Sequence, residues 1–351
     1  MTLSAPMPAQ AELTTPHALQ ACWDLQLAGL NADALRLALE CGVFDHLQDF
    51  TEPRLLAAGL TLDASNTGYV LELLWGMSLL ERAENPPRYR NSPLAERYLS
   101  REAPEYCGDA LLFRHSVLRQ TGQQLGDLLR NGSSPAPAAS TAVRQSWANA
   151  ARVQIAQEQR AVTVEVARRL LENLPEYPRL ERILDLGGGP GLIAINLAQC
   201  LPALQAALFE YPEAAAVAAE NIARAGLGQR VQALAGDLEQ DDFGSDYDLI
   251  WCSSVLHFVS DLPALLQRLH SALRPGGVLV CCHAEVSSSA QDSARILPYY
   301  LHMRMHGRHV LDQGALARML ENSGFVDVQQ LDGLAFPVAP VSAVIARKTQ
   351  R

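Results

Sequence analysis

The sequence predicts an α/β protein, with a doubly wound sheet domain preceded by a mainly helical domain that carries a small β-wing. Three observations predict it. From residue 181 onward, strand-length apolar runs alternate with helix-period segments, the pattern of a parallel sheet covered by helices on both faces. Residues 17–80 instead place apolar side chains at helical spacing, and a strand–turn–strand signal follows at ERAENPPRYRNSP. The 351 residues are enough for two domains at roughly 100–200 residues each.

Taken in order, residues 1–16 hold three prolines and little periodicity, so a loose arm is expected there. The helical domain is expected over 17–105. Its first helix carries Leu19, Trp23, Leu27, Leu30, Ala34, Leu37 and Leu39 at helical spacing, and Gly42 stops it. A short helix at 52–59 opens at Thr51 with Pro53 near its start. A third helix runs from Asn66 to Leu80, and the wing follows. Three helices and a wing make a winged-helix pattern, whose default association is DNA. The balance of 28 basic against 38 acidic residues leaves a net charge of −10, and no basic stripe offsets it. Nucleic acid is therefore not expected as a partner, and an apolar first helix fits an interaction or dimerisation role better. A helical connector is expected over 106–175, with helices at 106–130 and 143–174 around a flexible loop at 131–141, NGSSPAPAAST. The sheet domain is expected over 176–351. Its strands are ERILDLG, QAALFE, RVQALAGD, DYDLIWCSS and GGVLVCCHAEV, with FVDVQQL and VSAVIARK closing the chain. Helices are expected between them at 191–200, 213–225, 262–273, 292–306 and 312–323.

No apolar run approaches the ~18 residues a membrane span needs, and the N-terminus lacks the basic and apolar regions of a secretory signal. Seven cysteines, an odd number with no CxxC, read as reduced and mostly buried thiols in a cytoplasmic protein.

The most informative stretch is Ile183-Leu184-Asp185-Leu186-Gly187-Gly188-Gly189-Pro190-Gly191, where a strand runs into a glycine-rich turn and then a helix. The dinucleotide fingerprint GxGxxG fails, because Leu192 stands where its third glycine is required. The P-loop fails too, since no Gly-Lys-Ser/Thr follows. What remains, Asp185-x-Gly187-x-Gly189-x-Gly191, resembles motif I of the class I S-adenosylmethionine-dependent methyltransferases. Further features follow in order. Glu210 ends the second strand, where a carboxylate can accept both ribose hydroxyls. Asp237, with Leu238 beside it, ends the third, where an Asp can accept the adenine amino group. Ser253 and Ser254 end the fourth, and Arg274-Pro275-Gly276-Gly277 resembles the superfamily's loop before strand five.

The resemblance extends beyond that domain. ALRLALECGVFDHL, LLERAENPPRYRNSPLAERYL and VLHFVSD are similar to segments of the small-molecule O-methyltransferases of the plant caffeate and bacterial antibiotic type. The resemblance implies a Rossmann-like methyltransferase domain behind a winged-helix dimerisation domain, a homodimer, S-adenosylmethionine as cofactor and a small acceptor in secondary metabolism. It also implies that His257 is the general base, a role suited to a neutral imidazole. Three departures stand out. Phe258 replaces the usual Asp after that histidine, and His283 and His309 fall where the family places carboxylates flanking the base. Glu285 takes the first of these places if the strand slips by two residues. His283, Met303 and His309 are expected in the acceptor pocket, and Tyr299 and Tyr300 precede the helical stretch of Met303. No metal is assigned, although His257, His283 and His309 form one alternative ligand set, and His302 with His306 another pair at helical spacing. Two other functions stay open. One is a non-methylating enzyme that cyclises the cofactor's aminobutyrate arm to azetidine-2-carboxylate and methylthioadenosine. The other is a winged-helix regulator that senses a ligand.

Overall fold

The computed structural model describes residues 15–133 and 140–350. The arm expected at 1–16 falls almost entirely outside those residues, as does the centre of the loop expected at 131–141. The chain divides into two compact units, with the boundary between Gly108 and Asp109.

In the first unit, the helix Gln20–Glu40 ends where Gly42 adopts the left-handed conformation. Helix Pro53–Leu60 starts on its proline, whose missing N–H would have no helical partner in any case. Helix Ala64–Gly76 is capped by Asp63, which accepts from the Asn66 N–H at 2.8 Å. The wing is β1 (Leu80–Ala83) paired antiparallel with β2 (Arg88–Asn91). A helix the periodicity missed, Pro93–Tyr98, follows from a Ser92 cap and Pro93 at its first turn. Phe44, Leu47, Leu71 and Leu74 form the buried centre of this unit. Much of the first helix's apolar stripe lies outside that centre. Trp23, Leu27 and Leu30 are 48%, 54% and 61% exposed, which marks this stripe as a surface rather than a core.

The second unit is built on a seven-stranded sheet. Its strands are β3 (Arg182–Leu186), β4 (Gln205–Glu210), β5 (Val231–Ala235), β6 (Tyr247–Ser253), β7 (Leu273–His283), β10 (Val326–Leu334) and β11 (Val341–Arg347). The two-residue strands β8 (Glu285–Val286) and β9 (Leu311–Asp312) form a separate parallel pair. The sheet order is β10-β11-β7-β6-β3-β4-β5. β7, β6, β3, β4 and β5 run parallel, as expected. β11 is antiparallel to both β7 and β10, which corrects the fully parallel expectation. The reason is chain length. Six residues separate β10 from β11, whereas a parallel crossover needs a dozen or more.

Side chains alternate between the two sheet faces. Ile183, Leu249, Trp251, Val278 and Val280 enter one core, while Leu184, Leu186, Ile250, Leu279 and Cys281 enter the other. Burial on both faces explains why these strands read as continuous apolar runs. Strand order reverses beside β3, so a crevice is expected at the carboxyl ends of β3, β4 and β6. Of the cysteines, Cys252, Cys281 and Cys282 are buried, but Cys22 and Cys200 are exposed and Cys41 and Cys107 intermediate, which corrects the mostly buried reading. No helix among the described residues is long and apolar enough to cross a membrane.

Candidate functional site

A cavity opens at that crevice, and the turn after β3 supplies part of its lining. Gly187 and Gly189 line it with φ of +64° and +57°, a region that side-chain-bearing residues rarely adopt. The turn is held from outside by Gln159. Its Nε2 donates to the Gly188 carbonyl at 3.2 Å, and its Oε1 accepts from the Leu192 N–H at 3.2 Å. Glu210, at the end of β4, faces the same cavity and accepts from the amide N–H of Gly189 (3.3 Å) and of Tyr211 (2.9 Å). Burial pushes its carboxyl up, and these two donors oppose the shift. Leu238 and Ser253 also line the cavity.

Three of the expected cofactor residues lie elsewhere. Asp185 is buried beneath the glycine turn, where burial raises its carboxyl to about 7 against the pull of the Ala194 amide, with nearby Glu210 adding to the rise. Gly191 caps the helix Leu192–Cys200, and a Cβ there would press on Leu208 and Ala218 rather than enter the cavity. Asp237 turns back on its own loop, accepting from the Glu239 N–H at 3.0 Å and the Gln240 amide at 3.3 Å.

The cavity is also lined by His257, on a short turn after β6. Its Nδ1 lies 2.6 Å from the His309 carbonyl oxygen. A carbonyl only accepts, so Nδ1 carries the hydrogen and Nε2 keeps a lone pair. That Nε2 is buried and has no hydrogen-bond partner, and the residue lines the cavity. His283, at the end of β7, donates from Nε2 to the same carbonyl at 3.1 Å. Its ring stacks on that of His257 at 3.9 Å. Burial holds the His257 imidazole down at about 4, and burial with the neighbouring His257 holds His283 well below the usual range. Both rings are therefore neutral at neutral pH.

Neither His283 nor His309 lines the cavity, so their expected place in the acceptor pocket is corrected. His283 stacks against His257, and His309 contributes its main-chain oxygen. The three-histidine metal set falls with this geometry, and among the described residues no group of three or more His, Cys, Asp or Glu could hold a metal ion. His302 and His306 lie against each other, and the carbonyl of His302 engages Nδ1 of His306 at 2.9 Å. Phe258 packs edge-on against Trp147 in the cavity wall. Met303 lines the cavity, as expected.

Glu285 is not a partner of His257. It is buried and accepts from the N–H of Gly314 and of Leu316, both at 3.0 Å, and from Gln330 at 2.9 Å. It thus caps the helix Ala315–Asn322. Glu285→Ala should lower stability by about 3 kcal/mol, because it strands two helix N–H groups. The melting temperature should drop by roughly 5–10 °C with the pH dependence of turnover unmoved. A shifted pH profile at unchanged melting temperature would instead make Glu285 part of the proton machinery.

The rest of the wall was not legible as function in the sequence. The helical run Thr141–Glu172 contains two wider π-helical stretches, Ala151–Ile155 and Gln159–Thr163. Trp147, Ala151, Ile155, Gln159 and Thr163 recur every fourth residue and all line the cavity. In a uniform α-helix a four-residue repeat drifts by about 40° per step, and the π-helical stretches offset that drift. Beside them, Glu158 holds Arg114 through two hydrogen bonds of 2.7 and 2.6 Å, and Arg114 also donates to the Tyr299 hydroxyl. Tyr300 lies between Tyr299 and His257, at ring distances of 4.9 and 5.0 Å. Burial pushes both phenols up, so they stay protonated.

Comparison with known proteins places this geometry in a context. Residues 156–330 match a family profile described as a methyltransferase domain, and residues 23–101 match the O-methyltransferase dimerisation domain. The chain is 28% identical over 264 residues to the tetracenomycin polyketide synthesis 8-O-methyl transferase TcmO of Streptomyces glaucescens, covering 74% of this chain and 77% of that one. It is 30% identical over 264 residues to the N,N-dimethyltransferase OxyT of Streptomyces rimosus, covering 71% and 73%. The fold is shared with human N-acetylserotonin methyltransferase, solved in complex with S-adenosylmethionine, at a TM-score of 0.75 and 22% identity over 96% of this chain and 99% of that one.

Proposed function

We propose that this chain, which belongs to the S-adenosylmethionine-dependent methyltransferase family with an O-methyltransferase dimerisation domain, methylates a hydroxyl oxygen on a small, flat acceptor of secondary metabolism, with His257 taking the hydroxyl proton. One observation carries the reading. A single cavity is lined by the glycine turn, by Glu210 and by His257, whose Nε2 has no partner in the protein. The cofactor supplies a methyl group already activated on a sulfonium, so positioning is most of the remaining task. The residues present suit that cofactor. Gly189 leaves its backbone open to a close approach, Gly187 makes room for Val255 beside it, and Glu210 presents a carboxylate suited to a ribose diol. Leu238 and Ser253 serve the same side, with Asp185 and Gly191 shaping the turn from behind and Asp237 shaping the loop after β5. Trp147, Phe258, Tyr299, Tyr300 and Phe336 supply aromatic faces for a planar acceptor, and Met303 fills between them.

The domain plan of the reading is dimerisation through 17–105, a helical connector over 106–175 that contributes to the cavity wall, and cofactor binding over 176–351. The exposed Trp23, Leu27 and Leu30 support a homodimer formed by the first helix. An odd count of seven cysteines with no CxxC suits a reducing, cytoplasmic compartment.

The test incubates the protein with S-adenosylmethionine, alone and with phenols and naphthols, and reads products by mass spectrometry. S-adenosylhomocysteine and a methyl ether should form only when an acceptor is present. Methylthioadenosine released without an acceptor would overturn methyl transfer in favour of cyclisation. The same sample should scatter light as a dimer, and a monomer would remove the dimer from the reading.

A further inference from the structure

We infer that the acceptor hydroxyl is an acidic one, a hydroxyquinone, an enolised dicarbonyl or a phenol conjugated to an electron-withdrawing group, rather than an ordinary phenol. This rests on the reading of His257 as base. The geometry points to it through what surrounds the imidazole. A protonated His257 would need a negative partner, and its Nδ1 meets only the neutral carbonyl of His309. A carbonyl orients the ring but balances little of its charge. On one ring face lies the neutral imidazole of His283 at 3.9 Å, and Tyr300 follows at 5.0 Å. The nearby charge of Arg308 is positive. Arg308 approaches the Phe258 carbonyl at 3.5 Å and the Phe258 ring at 5.6 Å.

Three carboxylates line the cavity, and each is engaged elsewhere. Glu158 is held by Arg114, Glu210 by the amides of Gly189 and Tyr211, and Glu239 by Ser260. Among the described residues, none forms an ion pair or hydrogen bond with His257. An imidazole so placed is a weak base, in keeping with its value of about 4. Drawing a proton from an ordinary phenol, whose pKa is about 10, onto such a base is strongly uphill. A hydroxyl acidified by conjugation removes most of that difference.

The step balances without another reactant. A lone pair of the hydroxyl oxygen forms the O–CH₃ bond. The C–S bond breaks with its electron pair remaining on sulfur, which leaves neutral S-adenosylhomocysteine. The hydroxyl proton passes to Nε2 of His257 and then to solvent.

The test uses wild-type protein, saturating S-adenosylmethionine and acceptors of graded acidity on common skeletons. The sets are phenol, 4-cyanophenol and 4-nitrophenol, and 2-naphthol against 2-hydroxy-1,4-naphthoquinone, with aniline as the amine counterpart. The two hypotheses differ in sign. With a strong base, the most acidic phenol reacts slowest, because its oxygen is the poorest nucleophile. With the weak base inferred here, kcat/KM rises with acidity, by about 100-fold or more across each set. Flat or falling rates across the sets, or faster turnover of aniline than of 4-nitrophenol, would overturn the inference and leave methyl transfer standing. If no acceptor yields S-adenosylhomocysteine although calorimetry shows the cofactor bound, the methyl-transfer reading itself fails.

Discussion

His257→Ala should lower kcat by about 100-fold with cofactor affinity unchanged, as measured by S-adenosylhomocysteine formation and calorimetry. General-base catalysis contributes about 10²–10⁴, and a weak base with an acidic acceptor belongs at the low end. His257 lines the cavity and its Nε2 has no protein partner, so its loss strands no protein donor. A loss of twofold or less would end the base assignment. The pH profile gives a second check. A base at His257 would act in its neutral form, and burial holds the imidazole at about 4 instead of the ordinary 6.5. As pH falls, kcat/KM for an acidic acceptor should persist through 6.5 and decline only toward 4, over the range where circular dichroism shows the fold intact. A limb at 6.5 would mean that a better-solvated group takes the proton.

The sheet was legible because its strands are buried on both faces, and such strands announce themselves as apolar runs. The glycine turn was legible because its backbone requirement selects a residue type, as at Gly187 and Gly189. Other features carry no such mark. The acceptor that orients His257 is a main-chain oxygen, and any residue at position 309 supplies one. Arg114 and Tyr299 lie 185 positions apart, so no local pattern pairs them. Glu285 illustrates the reverse error. Its place in the sequence suits a catalytic carboxylate, but the break between β7 and β8 turns it to the N-terminus of Ala315–Asn322. The first helix shows a third limit. Period 3.6 reveals that Trp23, Leu27 and Leu30 share a face, yet the same period describes a face buried in its own core and one left for a partner.

Gly189→Val should weaken S-adenosylmethionine binding by at least about 100-fold, about 2.8 kcal/mol, with the protein still folded. The backbone there has a φ of +57°, which costs a side-chain-bearing residue about 1–2 kcal/mol. A Cβ at this position comes no nearer than 3.6 Å to Ile155 Cγ2, an ordinary contact. The folded chain therefore tolerates the substitution at a modest loss of stability. Gly189 lines the cavity, however, so the added methyls would occupy space otherwise open to the ligand. Gly191→Ala is the control, because it lies in the same turn and differs in what it meets. Its Cβ would sit 3.1 Å from Leu208 Cδ1 and 3.4 Å from Ala218 Cβ, inside the packing between helix and sheet. That variant should lose stability and keep more of its cofactor affinity than Gly189→Val. Titration calorimetry and thermal melts on the two proteins separate the effects. If Gly189→Val bound the cofactor as tightly as wild type, the glycine turn would not be the cofactor cradle, and the ligand of this cavity would have to be sought among other classes.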